Sequence, residues 1–154
     1  MVIKLRRILL VEDNPHDAEL TLEALTEHKL ANTVDVVKDG EAALDYLFCR
    51  GGYADRRDSE LAVILLDLKL PKVDGLEVLR VIKSDAKLKY IPVVILTSSR
   101  EEQDLIESYR LGVNAYVVKP VDFYEFMEAV KELGSFWAIV NEPPPAIAAK
   151  GPPE

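Results

Sequence analysis

The chain has 154 residues, of which 49% are hydrophobic and 30% charged, and this suits one globular domain with a single core. Its formal net charge of −8 argues against nonspecific binding to nucleic acid or to an anionic membrane. Cys49 is the only cysteine, and we find neither a membrane span of roughly 18 apolar residues nor a secretory signal, so a cytoplasmic protein without disulfides is expected.

Short apolar runs without strict alternation predict strands that are buried in a parallel sheet. The predicted strands are residues 7–11, 33–37, 62–66, 92–96 and 115–118. Helices are predicted at about residues 15–28, 41–48, 75–82, 100–111 and 123–137. Five strands alternating with five helices imply an α/β fold, a doubly wound parallel sheet with helices on both faces. The pattern alone does not give the order of the strands.

Several helix ends have recognisable signals. Asn14 suits the N-cap of the first helix, because Pro15 would then occupy the first helical position. Ser99 and Glu102 have the spacing of a capping box, as do Asp122 and, three residues later, Glu125.

The remaining segments lack periodicity. Residues 50–60 are polar and are predicted to form a long surface loop. Residues 141–154 are rich in Pro and Ala and are predicted to be a disordered tail after a domain of residues 1–140.

Chemically useful side chains follow four of the five predicted strands. They are Glu12 and Asp13 after the first strand, Asp67 after the third, Thr97 after the fourth and Lys119 after the fifth. Because parallel strands present their carboxyl ends at one edge, these groups are expected to share a cleft. Clustered carboxylates repel unless a cation lies among them, and Mg²⁺ with oxygen ligands is the best candidate.

This group of side chains suits phosphoryl transfer. Asp13 and Asp67 fit direct coordination of Mg²⁺, and Glu12 fits a direct or a water-mediated role. One of the carboxylates can act as the nucleophile and form an aspartyl phosphate. Lys119 and Thr97 could then each meet an oxygen of the transferred group.

The motifs that carry this chemistry resemble those of the receiver domain of two-component response regulators, the CheY-like family. The matching stretches are residues 10–14, 66–71 with Asp74 and Gly75, 96–98 and 116–120, in family order and at family-like spacing. The resemblance implies a flavodoxin-like (βα)5 sheet of order 2-1-3-4-5.

The same resemblance implies a role for each site residue. Asp67 would be the phosphoacceptor, and Glu12, Asp13, Asp67 and the backbone carbonyl of Lys69 would be ligands of Mg²⁺. Thr97 and Lys119 would contact the phosphoryl group, and Tyr116 would be the switch aromatic that turns inward as Thr97 moves. The alternative for Tyr116 is an ordinary half-buried tyrosine of the fifth strand. The resemblance also implies a cis bond between Lys119 and Pro120.

A narrower resemblance is to the stand-alone receivers that work with bacterial and cyanobacterial phytochrome kinases. It rests on the polar loop before the third strand, on Lys69, and on Ser135, Phe136 and Trp137. It implies a sensor histidine kinase as partner, with a phytochrome as one candidate. Phe136 and Trp137, at the end of the last helix, must either fold onto the core or be covered by a partner. Of these alternatives we expect a partner, in the form of a homodimer through the side formed by the fourth and fifth helices.

Three other functions fit the sequence less well. A phosphatase of the haloacid-dehalogenase type would need an acid two residues after Asp67, where the chain has Lys69. A flavin site would need phosphate-binding donors after the first strand, where the chain is acidic. A phosphate-independent interaction module would have no use for the complete set of cleft residues.

Overall fold

The computed structural model describes residues 7–26, 34–56, 61–137 and 141, and in these ranges strands alternate with helices. The elements are β1 (Arg7–Val11), α1 (Pro15–Thr26), β2 (Val34–Val37), α2 (Gly40–Leu47), β3 (Leu61–Leu66), α3 (Gly75–Ser84), β4 (Val93–Thr97), α4 (Glu102–Arg110), β5 (Ala115–Val118) and α5 (Phe123–Ser135). Short 3-10 turns lie at Gly51–Tyr53 and Leu88–Tyr90.

The sheet has the topology expected from the resemblance. Its strands pair in parallel in the order β2-β1-β3-β4-β5, which confirms the flavodoxin-like fold. All six residues of the central strand β3 are buried, because strands flank it on both sides and helices cover both faces. Asp67, the residue after β3, therefore lies near the middle of the carboxyl edge.

Alternate strand residues face two different helical layers. Leu9 and Ile64 belong to the core cluster on the side of α2 and α3, whereas Ile8 and Val63 belong to the cluster on the side of α1 and α5. Within the second layer α1 and α5 are in contact with each other. The start of α1 and the segment after β5 are thus held beside the same edge of the sheet.

Helix α4 is attached to the domain differently from the other helices. Among its nine residues, all of which the structure describes, Ser108 alone is buried. Leu105, Ile106 and Tyr109 are 40, 48 and 53% exposed. The apolar side chains of α4 therefore contribute little to the core and lie on the surface of the molecule.

The predicted capping box at the start of α4 is wrong. The cap residue is Glu101, whose side chain makes no capping hydrogen bond, and the helix begins at Glu102. Ser99 instead donates its hydroxyl to Asp104 Oδ2 over 2.6 Å and accepts a hydrogen bond from the backbone N–H of Glu101. The predicted cap at Asp122 is confirmed, since its carboxylate accepts from the N–H of Glu125 at 3.0 Å.

The expected cis bond before Pro120 is also wrong. The described residues contain no cis peptide bond, so the bond from Lys119 to Pro120 is trans. The trans form of such a bond is favoured by about 0.5–1 kcal/mol in the absence of tertiary constraints. That difference is too small for a sequence motif to decide the isomer by itself.

Some of the predicted segments are only partly covered by the structure. Trp137 packs against the core cluster of α1 and α5, while Phe136 is 47% exposed. The predicted tail, apart from Asn141, and residues 57–60 of the predicted loop lie outside the described residues. Among the helices that the structure describes, none is long and apolar enough to cross a bilayer.

Candidate functional site

Backbone hydrogen bonds bring the acidic residues that follow β1 and β3 side by side. The N–H of Asp67 donates to the carbonyl of Val11 at 3.1 Å, and the N–H of Glu12 donates to the carbonyl of Val37 at 3.0 Å. The sheet pairing thus continues one residue beyond the strands. The backbones of Glu12 and Asp67 are therefore held in place whatever the charge on their side chains.

Two glycines allow the loop after Asp67 to lie close against the fold. A Cβ on Gly75 would lie 2.4 Å from the carbonyl oxygen of Asp67, and a Cβ on Gly40 would lie 1.9 Å from that of Val73. The N–H of Gly75 donates to the carbonyl of Leu68 at 2.9 Å. Only glycine permits these approaches without moving the backbone. The start of α3 thereby fixes the segment that carries Asp67.

Three carboxylates form a cluster suited to a divalent metal ion. One oxygen each from Glu12, Asp13 and Asp67 lies within 4.8 Å of the others, with Glu12 and Asp67 buried and Asp13 exposed. Burial raises the pKa of Glu12 to about 7 even though Lys119 contacts it. Buried carboxylates that lie side by side are stabilised when a cation binds to their oxygen atoms. These three residues therefore fit a hard divalent ion.

Lys119 is the buried cation of the site. Its Nζ donates to Glu12 Oε1 at 2.5 Å, to Asp17 Oδ2 at 2.9 Å and to Asp67 Oδ2 at 3.1 Å. Burial by itself would lower the pKa of Lys119, but hydrogen bonds to Glu12 and Asp17 and the nearby negative charges raise it above its ordinary value. The ammonium therefore stays charged at neutral pH and can accompany a negatively charged group.

Asp17 is the site residue that sequence reasoning missed. It lies in the first turn of α1, where an acidic residue is usually explained by the helix dipole. Its partner Lys119 is 102 residues away in the chain. The available signal was its place in the first helical turn after Asp13, at the same edge of the sheet as the predicted cleft.

Thr97 and Tyr116 are joined through the segment after β4. Thr97 is fully buried, and its Oγ1 accepts a hydrogen bond from the N–H of Ser99 at 3.3 Å. The phenol of Tyr116 donates to the carbonyl of Ser99 at 3.1 Å. The N–H of Lys119 donates to the carbonyl of Thr97 at 2.7 Å, which ties β5 to the same segment.

Lys69 meets Asp67 through its backbone. Its N–H donates to Asp67 Oδ1 at 3.3 Å, while its side chain is exposed. The two oxygens of Asp67 thus have different partners, Lys69 N–H for Oδ1 and Lys119 Nζ for Oδ2. A buried carboxylate held in this way, with a cation beside it, is arranged to attack an electrophile such as phosphorus.

The arrangement has close counterparts among known proteins. The model of the response regulator receiver domain family matches residues 8–131. Response regulator Rcp1 of Synechocystis sp. is 43% identical over 130 residues, which cover 84% of this chain and 87% of Rcp1.

Solved structures agree with the sequence comparison. The phosphorylated cyanobacterial phytochrome response regulator RcpA matches with a TM-score of 0.86 and 42% identity, over 92% of this chain and all (100%) of RcpA. The bacteriophytochrome response regulator AtBRR is 62% identical, with a TM-score of 0.71 over 91% of this chain and 100% of AtBRR.

Metal binding is seen in one of these relatives. Rcp1 has a crystal structure in a Mn²⁺-bound form, which matches at 40% identity and a TM-score of 0.82 over 91% of this chain and 99% of that one. Together with the cluster of Glu12, Asp13 and Asp67, this supports divalent metal binding. With its parallel sheet, its acidic edge and these relatives, the chain belongs to the response regulator receiver domain family and is homologous to phytochrome-associated response regulators.

Proposed function

We propose that this chain accepts a phosphoryl group on Asp67 from a sensor histidine kinase and uses Mg²⁺ as its metal ion. The observation that carries the proposal is the environment of Asp67. Its buried carboxylate lies 3.1 Å from the ammonium of Lys119 and shares a cluster with Glu12 and Asp13. This is the combination of nucleophile, cation and metal ligands that phosphoryl transfer requires.

The transfer itself follows from the contacts of Asp67. One carboxylate oxygen attacks phosphorus while the bond from phosphorus to the histidine nitrogen of the kinase breaks. The bonding electron pair returns to that nitrogen, and the ring leaves as neutral imidazole when its second nitrogen carries a proton. Lys119 Nζ and the hydroxyl of Thr97 are the groups of this chain that would meet the transferred oxygens.

Four groups of the chain would hold the metal ion. They are the carboxylates of Glu12, Asp13 and Asp67 and the backbone carbonyl of Lys69. When bound, Mg²⁺ supplies positive charge that offsets the negative charge of the transferred group. Since Mg²⁺ keeps some of its waters, a site with so few protein ligands suits it.

Phosphorylation is proposed to act as a switch through Thr97 and Tyr116. A phosphoryl group on Asp67 would draw the hydroxyl of Thr97 toward it. Because Thr97 Oγ1 accepts from the N–H of Ser99 and the carbonyl of Ser99 accepts from Tyr116, a movement of Thr97 would reach the Tyr116 ring. The chain would thus be a phosphoacceptor whose own chemistry is limited to self-catalysed transfer and slow loss of phosphate.

The proposed output is a partner or dimer surface formed by α4 and α5. Leu105, Ile106 and Tyr109 on α4 are exposed, and Phe123 and Tyr124 at the start of α5 are 46 and 76% exposed. We expect a homodimer through this side. Light scattering at high micromolar concentration, with and without phosphorylation, would contradict the homodimer if it gave the monomer mass in both states.

Intact mass spectrometry after incubation with acetyl phosphate and Mg²⁺ tests the central proposal. One added phosphoryl group is expected, and it should be absent from Asp67→Asn and absent when a chelator removes the metal. No adduct together with rapid, Asp67-dependent release of phosphate would indicate a hydrolase or a very short-lived acyl phosphate. No adduct and no turnover would favour a phosphate-independent interaction module.

The partner is proposed to be a bacterial phytochrome kinase in the cytoplasm, by analogy with the phytochrome-associated relatives. Phosphate transfer from a purified phytochrome kinase should be faster than from an unrelated histidine kinase. Equal rates from the two kinases would remove the support for a phytochrome partner and leave the phosphoacceptor chemistry unaffected.

A further inference from the structure

We infer that Asp17 is a positioning residue that holds the ammonium of Lys119 at the phosphoacceptor cleft while the other carboxylates bind metal. The inference rests on the proposed function of Asp67. It starts from the ion pair between Asp17 Oδ2 and Lys119 Nζ, at 2.9 Å. No motif of the sequence assigned a role to Asp17.

The ammonium of Lys119 has no donor left over. It carries three hydrogens, and the structure gives it three carboxylate acceptors, on Glu12, Asp17 and Asp67. An ammonium is a point charge on a flexible stem, so its position depends on the acceptors around it. Removing one acceptor leaves its position to be decided by the other two.

Two of these acceptors have a second duty. Glu12 and Asp67 belong to the cluster whose oxygens lie within 4.8 Å of one another, whereas Asp17 does not. Among the described residues, Asp17 is therefore the acceptor of Lys119 that is outside the metal cluster. A metal ion bound there would attract the oxygens of Glu12 and Asp67 and would repel the ammonium, so Asp17 would be the contact that remains to hold Lys119 in the cleft.

The backbone of Asp17 is fixed by its own contacts. Its N–H donates to Asn14 Oδ1 at 3.0 Å, and its carbonyl accepts from the hydroxyl of Thr21 at 2.7 Å. The side chain of Asp17 is 27% exposed, so it is more hydrated than Glu12, whose side chain is 3% exposed. Asp17 therefore keeps contact with solvent while it holds Lys119, whereas Glu12 is almost fully enclosed.

Phosphorylation kinetics with acetyl phosphate at saturating Mg²⁺ test the inference, using Asp17→Asn and a matched control. Glu19→Gln removes the same charge from an exposed site on the same helix. We expect Asp17→Asn to slow the single-turnover rate about tenfold because Lys119 is less well placed, while Glu19→Gln stays near the wild-type rate. Asp17→Glu should recover part of the loss.

A double-variant comparison separates positioning from a merely structural effect. If Asp17 acts through Lys119, Asp17→Asn should have no further effect in a Lys119→Met background. A full tenfold loss in that background, or a wild-type rate for Asp17→Asn alone, would overturn the inference. In either case wild-type phosphorylation would still support the proposed function.

A spectroscopic measurement tests the contact without any phosphoryl transfer. In protein carrying ¹⁵N-labelled lysine, the buried ammonium of Lys119 should give a protected NH3 resonance at saturating Mg²⁺. Asp17→Asn should shift or broaden this resonance, and Glu19→Gln should not. An unchanged resonance in Asp17→Asn would overturn the inference and leave the proposed function standing. A wild-type chain that cannot be phosphorylated would overturn the proposed function and, with it, the inference.

Discussion

Replacing Gly75 with alanine tests whether the start of α3 determines where Asp67 lies. The added Cβ would be 2.4 Å from the carbonyl oxygen of Asp67 and 2.5 Å from Cα of Leu68. Both are backbone atoms, which cannot rotate out of the way as a side chain can. Ordinary contact begins at about 3.4 Å, so the two segments would have to separate by about 1 Å.

The sign of the stability change distinguishes the steric effect from helix propensity. Alanine in a helix is more favourable than glycine by about 1 kcal/mol, so propensity alone predicts a more stable protein. Forced overpacking costs about 1–3 kcal/mol, and here it acts on the backbone of two segments at once. Because both contacts are with backbone, we take the upper end of that range, about 3 kcal/mol, and subtract the propensity gain of about 1 kcal/mol. The free energy of unfolding should then fall by about 2 kcal/mol.

Urea denaturation measures this change, with Gly52→Ala as the control. A Cβ on Gly52 would meet no atom within 4 Å, so that substitution should leave the free energy of unfolding nearly unchanged. The phosphorylation rate of Gly75→Ala should also fall at least about tenfold, because a 1 Å displacement of a reacting group is costly. A Gly75→Ala protein as stable as wild type and phosphorylated at the wild-type rate would refute the steric reasoning.

Three further predictions concern positions around the sheet. Cys49 has φ +54° at the end of α2, so Cys49→Gly should raise the free energy of unfolding by about 1 kcal/mol, and a lower value in thermal or urea denaturation would contradict this. Burial and a 2.6 Å hydrogen bond to Asp35 raise the pKa of Tyr46 above its ordinary value of 10.0. The neutral phenol of Tyr46 therefore contributes its full stabilisation below about pH 10, and this contribution is lost as the pH rises further. The free energy of unfolding of Tyr46→Phe should accordingly fall less steeply than that of the wild type over that pH range. Lys69→Ala should change the lifetime of the phosphoryl group more than the affinity for Mg²⁺, because the proposed metal contact is a backbone carbonyl; a weaker Mg²⁺ titration with an unchanged lifetime would count against this.

The sheet and its edge were predictable from sequence because burial on both faces leaves a strong local signal. Residues 61–66 are all apolar and are followed at once by Asp67. Once the strands are parallel, their carboxyl ends must meet, so the proximity of Glu12, Asp67 and Lys119 follows from strand ends alone. No knowledge of the helices was needed for this step.

Contacts that depend on side-chain direction were not predictable in the same way. The link from Asp17 to Lys119 depends on how α1 is rotated about its axis relative to the end of β5, which the apolar pattern of α1 leaves undetermined. Ser99 had the spacing of a cap, but its hydroxyl bonds to Asp104 inside the next helix. In both cases the spacing of residues along the chain does not reveal the partner of the polar side chain, which is decided by how the helices pack.

The shallow attachment of α4 has a consequence for how the domain opens. Local unfolding of a segment costs little free energy when the segment buries little apolar surface. All nine residues of α4 are described by the structure, and Ser108 is the only one of them that is buried. Amide hydrogens of α4 should accordingly exchange with solvent well before those of β3, through fluctuations that leave the sheet intact. A helix that detaches cheaply can be repositioned by an energy change of the size that one phosphoryl group supplies, without any loss of the core that carries Asp67.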